Sequence, residues 1–486
     1  MMKGIDLTML AAANNAELHG ENALVTGVCI DSREVKAGDL FIALAGSQSD
    51  GHQYLAKAAE QGAVAAVVES VQDIALPQIV VSDSLHALGV IAQLNRNAFQ
   101  GKVIAITGSS GKTSCKNMLA AILNQVGSVC ATHGNFNNEI GLPLTVQRLN
   151  ESHDYAVLEM GAAKSGDIDY LVGIGQPHIS AITNVNEAHI GGFGSIENTA
   201  KTKAEIYASL PTDGWAVINR DDVFASDWRD SLSVQAAKGQ LIECALTDSY
   251  ANIYASAIEQ DENGLHFNAH LRLADSKSQL AITMNFLGTH NVRNALMAIA
   301  IAKALNVSDI AITQGLASVA PEKGRLCCLA GRNDLQLLDD SYNANPQSMY
   351  AAIDVLMSVG EQAENSIAVL GDMAELGDDA AAMHFNVGQY AALAGVNRLY
   401  AIGEFADQVL AGFGPQASNG SKIDHSTDSV GQLFTRQEDL IAQLLSKDCE
   451  SSVVLVKGSR SAAMDNVVSA LNANDSSNGL AQAGAK

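Results

Sequence analysis

Base is what this chain has least of. Its 486 residues carry 29 lysines and arginines against 53 aspartates and glutamates, a formal net charge of −24. A general nucleic-acid or anionic-membrane binder presents a basic footprint, so neither class of partner is expected. Small anionic substrates, which need only a local basic site, stay open. Long apolar runs are also missing: no stretch reaches about 18 uninterrupted apolar residues, so no membrane span is expected. The first twenty residues, MMKGIDLTMLAAANNAELHG, lack the apolar core and cleavage pattern of a secretory signal. The 7 cysteines are scattered, odd in number and never spaced C-x-x-C. That spacing points away from zinc and from a disulfide framework, and towards reduced thiols in a cytoplasmic protein. What is present, 47% hydrophobic and 17% charged residues, describes a soluble globular chain long enough for several domains.

The most informative stretch runs from Lys102 to Thr113, KVIAITGSSGKT. A β-branched apolar run is followed by Gly108, Ser109, Ser110 and Gly111, then by Lys112 and Thr113 and by leucines and isoleucines at helical spacing. Strand, tight glycine turn and helix N-terminus form the geometry in which backbone N–H groups and a lysine hold phosphate. The threonine hydroxyl is then available to Mg²⁺. Ile106 stands where the longer G-x-x-x-x-G-K-[ST] pattern has its first glycine. An ordinary strand-to-helix turn would also fit the shorter pattern, so the surrounding residues must decide.

The chain reads as three α/β units. Residues 1–98 alternate short strands and helices, with a helix predicted over 84–98. Residues 99–319 form a central unit of mostly parallel strands, with antiparallel patterns near 247–286. Residues 320–472 read as a doubly wound, Rossmann-like unit whose loops lie at strand C-terminal ends, where ligands bind. The small polar tail 473–486 reads as disordered.

Several residues in these units carry candidate chemistry. Glu159 ends an apolar strand in the same unit as the phosphate loop, a position from which a carboxylate reaches Mg²⁺. His189 lies in a glycine-rich segment and is a candidate for a second metal. Lys201 and Lys203 point about 200° apart on a helix, so at most one faces a site. Asn291 and Asn294 share a helix face suited to adenine or ribose, although Asn291 also suits a helix N-cap. Asp31, Ser32 and Arg33 leave a strand end and suit a phosphate, or a local Asp–Arg pair in a solvated turn.

Together these stretches resemble the Mur ligases, ATP-dependent amide-bond-forming enzymes of peptidoglycan synthesis. The likeness runs from Asp31 to about Ala463. Within that family, the segment from Gly134 to Pro143, the run Asp339 to Pro346 and the run Val456 to Arg460 are similar to the member that adds D-alanyl-D-alanine. The Asp-Asn-Pro-Arg motif of the diaminopimelate-adding member is absent.

The resemblance implies roles. Gly108, Ser109, Ser110, Gly111, Lys112 and Thr113 would hold ATP, with Asn291, Asn294, Arg325, Asp340 and Asn343 completing its site. Thr113, Glu159, His189 and a carbamylated Lys203 would bind Mg²⁺ at two sites, Lys201 being the competitor of Lys203. Catalytic roles would fall to Lys112, Lys203, His189 and Arg325. Ser32 and Arg33 would hold the uridine nucleotide in the first unit. Asn135, Asn137, Asn138, Glu139, Asn345, Lys457 and Arg460 would contact the other substrate groups. The implied substrates are a UDP-N-acetylmuramoyl-tripeptide and D-Ala-D-Ala, joined through an acyl phosphate by a monomeric enzyme. Two alternatives stand beside this reading: a folylpolyglutamate-type or other amino-acid ligase of the same superfamily, and a non-catalytic nucleotide-binding regulator.

Overall fold

A computed structural model of the protein describes residues 4–46, 49–186, 193–261, 264–273, 276–360, 365–414 and 430–474. Three large sheets dominate them, and each is built around strands with almost no exposed apolar surface.

In the first, five strands lie in the order Glu17–His19, Gln78–Val80, Ala65–Val68, Asp39–Ile42, Gly27–Cys29. All neighbours are parallel except the first pair. The helix Leu7–Ala13, whose N-cap Asp6 accepts from the Met9 amide, covers one face. The N-terminal stretch is thus an element of the fold. The predicted helix over 84–98 is present as Ser84–Ala98, capped by the Asp83 side chain on the His86 amide. Its apolar stripe, Leu88, Ile91 and neighbours, packs on this sheet. Asn95 and Arg96 on the same helix meet the central unit. Asn95 donates to the Val146 and Leu149 carbonyls, and Arg96 to those of Gly175 (2.7 Å) and Gln176 (2.7 Å).

The central sheet has nine strands among the described residues. Its order is Ser276–Met284, Gly264–Leu273, Ile253–Asp261, Leu241–Ala245, Trp215–Asn219, Ile179–Ile182, Lys102–Thr107, Tyr155–Glu159, Val129–Ala131. The last seven are parallel, and the first three pair antiparallel as the 247–286 pattern predicts. From Lys102–Thr107 the chain crosses to Val129–Ala131, returns to Tyr155–Glu159 beside its start, then continues on the opposite side at Ile179–Ile182. That reversal opens a crevice at the carboxyl end of Lys102–Thr107.

The helices Lys112–Leu123 and Thr289–Ala304 fill one face of this sheet. Thr289–Ala304 is alanine-rich because it is buried nearly all round, so small side chains let it approach its neighbours closely. Burying each of its larger residues, such as Leu296 or Ile299, contributes roughly 1.5–3 kcal/mol. Its N-cap is Gly288, so Asn291 is one turn inside the helix and not its cap.

The third sheet runs Cys327–Ala330, Gln336–Asp340, Val453–Lys457, Ser366–Gly371, Arg398–Ile402, Val430–Phe434, parallel throughout except its first pair. Both faces carry a core, as a doubly wound sheet requires. The edge strands Cys327–Ala330 and Val430–Phe434 have no counterpart in the sequence reading.

Candidate nucleotide and metal site

The strand Lys102–Thr107 places Ile106 wholly inside the core. The absent first glycine is therefore a strand position, and the loop proper is only Gly108 to Gly111. Gly111 takes φ +77°, and a Cβ there would lie 2.3 Å from Asn294 Oδ1, so the residue must be glycine. The first-turn amides of Lys112–Leu123 lack intrahelical partners and point into the crevice. Asn184 braces the loop from the neighbouring strand end: its Oδ1 accepts from the Ser110 amide (3.0 Å), and its carbonyl from the Ser109 amide (2.8 Å). Lys112 Nζ is folded onto the carbonyls of Gly108 (2.8 Å) and Ser109 (3.4 Å). Burial pushes its pKa down, Glu159 opposes that, and Arg325 adds to the lowering.

Glu159 is 2% exposed at the end of Tyr155–Glu159. Its Oε2 accepts from Thr113 Oγ1 (3.0 Å) and its Oε1 from Asn137 Nδ2 (2.8 Å). Arg325 reaches across from the third unit, Nη2 donating to Thr113 Oγ1 at 3.2 Å, with its guanidinium 4.0 Å from the Tyr342 ring centroid. Asn117 and Glu322 make a second bridge between the same units, at 3.0 Å. The hydroxyl and carboxylate oxygens of Thr113 and Glu159, adjacent beside a phosphate loop, suit a hard cation that keeps several waters and binds phosphate.

Lys203 is 2% exposed and Lys201 is exposed, so the inward lysine of the pair is Lys203. Burial first, and Lys112 second, bring its pKa down to about 7. His189, the companion metal candidate, lies outside the described residues. Asn291 and Asn294 are buried and bonded to each other (3.0 Å), with Asn294 against the phosphate loop.

The remaining candidates are spread more widely. Asn138 Oδ1 accepts from the amides of Ile140 and Gly141 at the entry to the helix Gly141–Gln147. Asn135 and Glu139 are exposed beside it. Ser32 is buried, whereas Arg33 is exposed and paired with Asp31 at 2.6 Å. That hydrogen-bonded guanidinium holds the Asp31 carboxyl at about 2. Lys457 is buried, donating to Asp340 (2.5 Å) and to the Asn343 carbonyl (3.0 Å). Asn345 caps the helix Pro346–Gly360 through the Ser348 amide. Arg460 is exposed and paired with Asp465. In this arrangement Lys457 and Arg460 both already hold carboxylates of the chain.

The sequence reading passed over Lys116 and Thr132. Lys116 Nζ donates to the Thr132 carbonyl (2.7 Å) and lies 3.9 Å from Glu159 Oε2, while Thr132 Oγ1 accepts from the Glu159 amide (3.0 Å). The available signal was spacing: Lys116 is four residues beyond Lys112, on the same helix face.

A phosphate loop, an adjacent acid on the next strand and an arginine delivered from another sheet define a nucleotide-dependent phosphoryl-transfer site at the junction of two α/β units. The family models agree with that class: the Mur ligase middle domain matches residues 106–302, the Mur ligase glutamate ligase domain 324–460, and the Mur ligase family catalytic domain 24–96. The chain is 37% identical over 475 residues to the UDP-N-acetylmuramoyl-tripeptide–D-alanyl-D-alanine ligase of Escherichia coli K12, covering 97% of this chain and 99% of that protein. It superposes on the crystal structure of MurF from Acinetobacter baumannii with a TM-score of 0.84 at 32% identity, covering 96% and 98% of the two chains. The MurF ligase of Thermotoga maritima, solved in complex with ADP, shares the fold with a TM-score of 0.75 at 24% identity, over 91% and 96%. The chain belongs to the Mur ligase family.

Proposed function

We propose that this protein joins D-alanyl-D-alanine to a UDP-N-acetylmuramoyl-tripeptide at the expense of ATP, making the pentapeptide precursor of peptidoglycan. The observation that carries the reading is the hydrogen bond from Asn137 to Glu159. It sets the segment 134–143, similar to the D-alanyl-D-alanine-adding member, directly on the acid beside the phosphate loop.

The tripeptide carboxylate attacks the γ-phosphorus, ADP leaves, and an acyl phosphate forms. The amine of D-Ala-D-Ala then attacks the acyl carbon, loses a proton, and phosphate departs. Lys112 and the helix amides bear the phosphoryl charge. Arg325 adds a second positive wall, and Thr113 with Glu159 would hold magnesium, which would supply charge stabilisation to the transferring phosphoryl group. Lys203, as its carbamate, together with His189, serves a second metal. Ser32 and Arg33 hold the uridine nucleotide, while Asn345, Lys457 and Arg460 serve the incoming dipeptide, each exchanging its present partner for substrate. The buried Asn291–Asn294 pair backs the nucleotide. Positioning supplies much of the remaining acceleration.

Phosphate release measured with each substrate omitted in turn tests the assignment. Release is expected only when ATP, tripeptide nucleotide and D-Ala-D-Ala are all present. Full-rate release without the dipeptide overturns it, and turnover with L-glutamate in place of the dipeptide favours a folylpolyglutamate-type ligase.

A further inference from the structure

We infer that Lys116 is a positioning residue for the metal–phosphate site, acting through Glu159. The inference rests on the reading of Glu159 as the magnesium-binding acid. Lys116 is 2% exposed, so its ammonium has left water and must be compensated within the protein. Among the described residues its hydrogen-bond acceptor is the Thr132 carbonyl at 2.7 Å, and the carboxylate within ion-pair distance is Glu159 at 3.9 Å. Glu159 is equally buried, and Lys116 is the cation paired with it among the described residues.

The geometry closes a ring. The ammonium ties helix Lys112–Leu123 to the carbonyl of Thr132, and the hydroxyl of that same threonine accepts from the backbone amide of Glu159. Lys116 therefore fixes the strand end that presents the acid and supplies countercharge at Oε2, the oxygen that also accepts from Thr113, while Oε1 accepts from Asn137. With that charge removed, Lys112, one helical turn away and already under the electrostatic influence of Glu159, is a replacement. A carboxylate drawn to Lys112 is lost to the metal, and the lysine is lost to phosphate. Groups that orient a metal-binding side chain commonly set metal affinity by about 10–100-fold.

The experiment is calorimetric titration of ADP into the full-length protein, once with MgCl₂ and once with EDTA. Lys116→Met and Lys116→Gln, the latter retaining a donor for Thr132, are each compared with the parent and with Glu159→Gln. Both Lys116 variants are expected to weaken Mg·ADP binding by at least about tenfold, to leave metal-free ADP binding unchanged, and to add nothing further in the Glu159→Gln background. Should Lys116→Met fail to fold, Lys116→Gln decides. Parental Mg·ADP binding by Lys116→Gln overturns the inference, as does an undiminished effect in the Glu159→Gln background, which marks a purely structural lysine. If Glu159→Gln alone binds Mg·ADP as the parent does, the assignment of Glu159 falls and the inference on Lys116 falls with it, an outcome distinct from parental binding by Lys116→Gln beside a weakened Glu159→Gln.

Discussion

At the scale of single residues, burial decides which lysines matter. A lysine ordinarily titrates near 10.4, and Lys203 is held at about 7 because its ammonium has no water around it and Lys112 is close by. A substantial share of it is then a neutral amine at neutral pH. Only the neutral amine adds CO₂, giving a carbamate and a proton, so the lowered pKa supports the proposed carbamylation. Lys203→Ala is expected to abolish phosphate release, with partial recovery in formate or acetate; an active alanine variant would dismiss the role. The same shift has a stability consequence. Between about pH 7 and pH 10 the unfolded chain binds a proton at this lysine and the folded chain does not, so stability rises with pH across that window. In CO₂-free buffer, Lys203→Met should melt at a higher temperature than the parent at pH 6. The advantage should shrink as pH climbs above 7, and a gap that is constant with pH would contradict the buried ammonium.

At the scale of elements, apolar strands and capped helices were readable and polar edges were not. Ser84–Ala98 has the bounds the sequence pattern predicts, since period and punctuation agree there. Val430–Phe434 exposes four of its five residues, so it carries no alternation to read. Glu17–His19 is short and mostly polar. The phosphate loop and Glu159 were legible because their chemistry is local in sequence. Lys116 was not, since a lysine on a helix ordinarily reads as a solvated residue. Only the return of Val129–Ala131 alongside Tyr155–Glu159 encloses it.

Arg96 is a similar case at the junction of two units. Its guanidinium supplies two carbonyls at the end of the helix Asp167–Gly175, from a helix that also packs on the first sheet. Arg96→Met removes charge-assisted bonds of about 1.5–3 kcal/mol each. Hydrogen exchange should quicken over residues 167–176 and 84–98 while Lys112–Leu123 keeps its protection. Unaltered exchange over 167–176 would show that apolar packing alone holds the two units together.

At the scale of the molecule, polar links among the described residues cross the phosphate site beside the apolar packing of Leu287 on the core of the third unit. Arg325 to Thr113, Asn117 to Glu322, and Gln260 to Ser358 (2.9 Å) join the central and third units. Polar contacts of this kind hold an orientation loosely, so a ligand that adds charge between the units shifts it. On the proposed reading, Mg·ATP would place phosphate between Arg325 and Lys112, and closing on it would exclude water from the acyl phosphate. Scattering of the full-length protein should therefore report a smaller radius of gyration with a non-hydrolysable ATP analogue and tripeptide nucleotide than without them. Arg325→Met loses both the Thr113 bond and the cation seated on Tyr342. It should blunt that contraction and raise KM for ATP, while tripeptide-nucleotide affinity, which the proposed reading assigns to the first unit, stays near parental. If Arg325→Met contracts as fully as the parent, the arginine is a bystander and closure is driven elsewhere, with the Asn117–Glu322 bridge next to be tested.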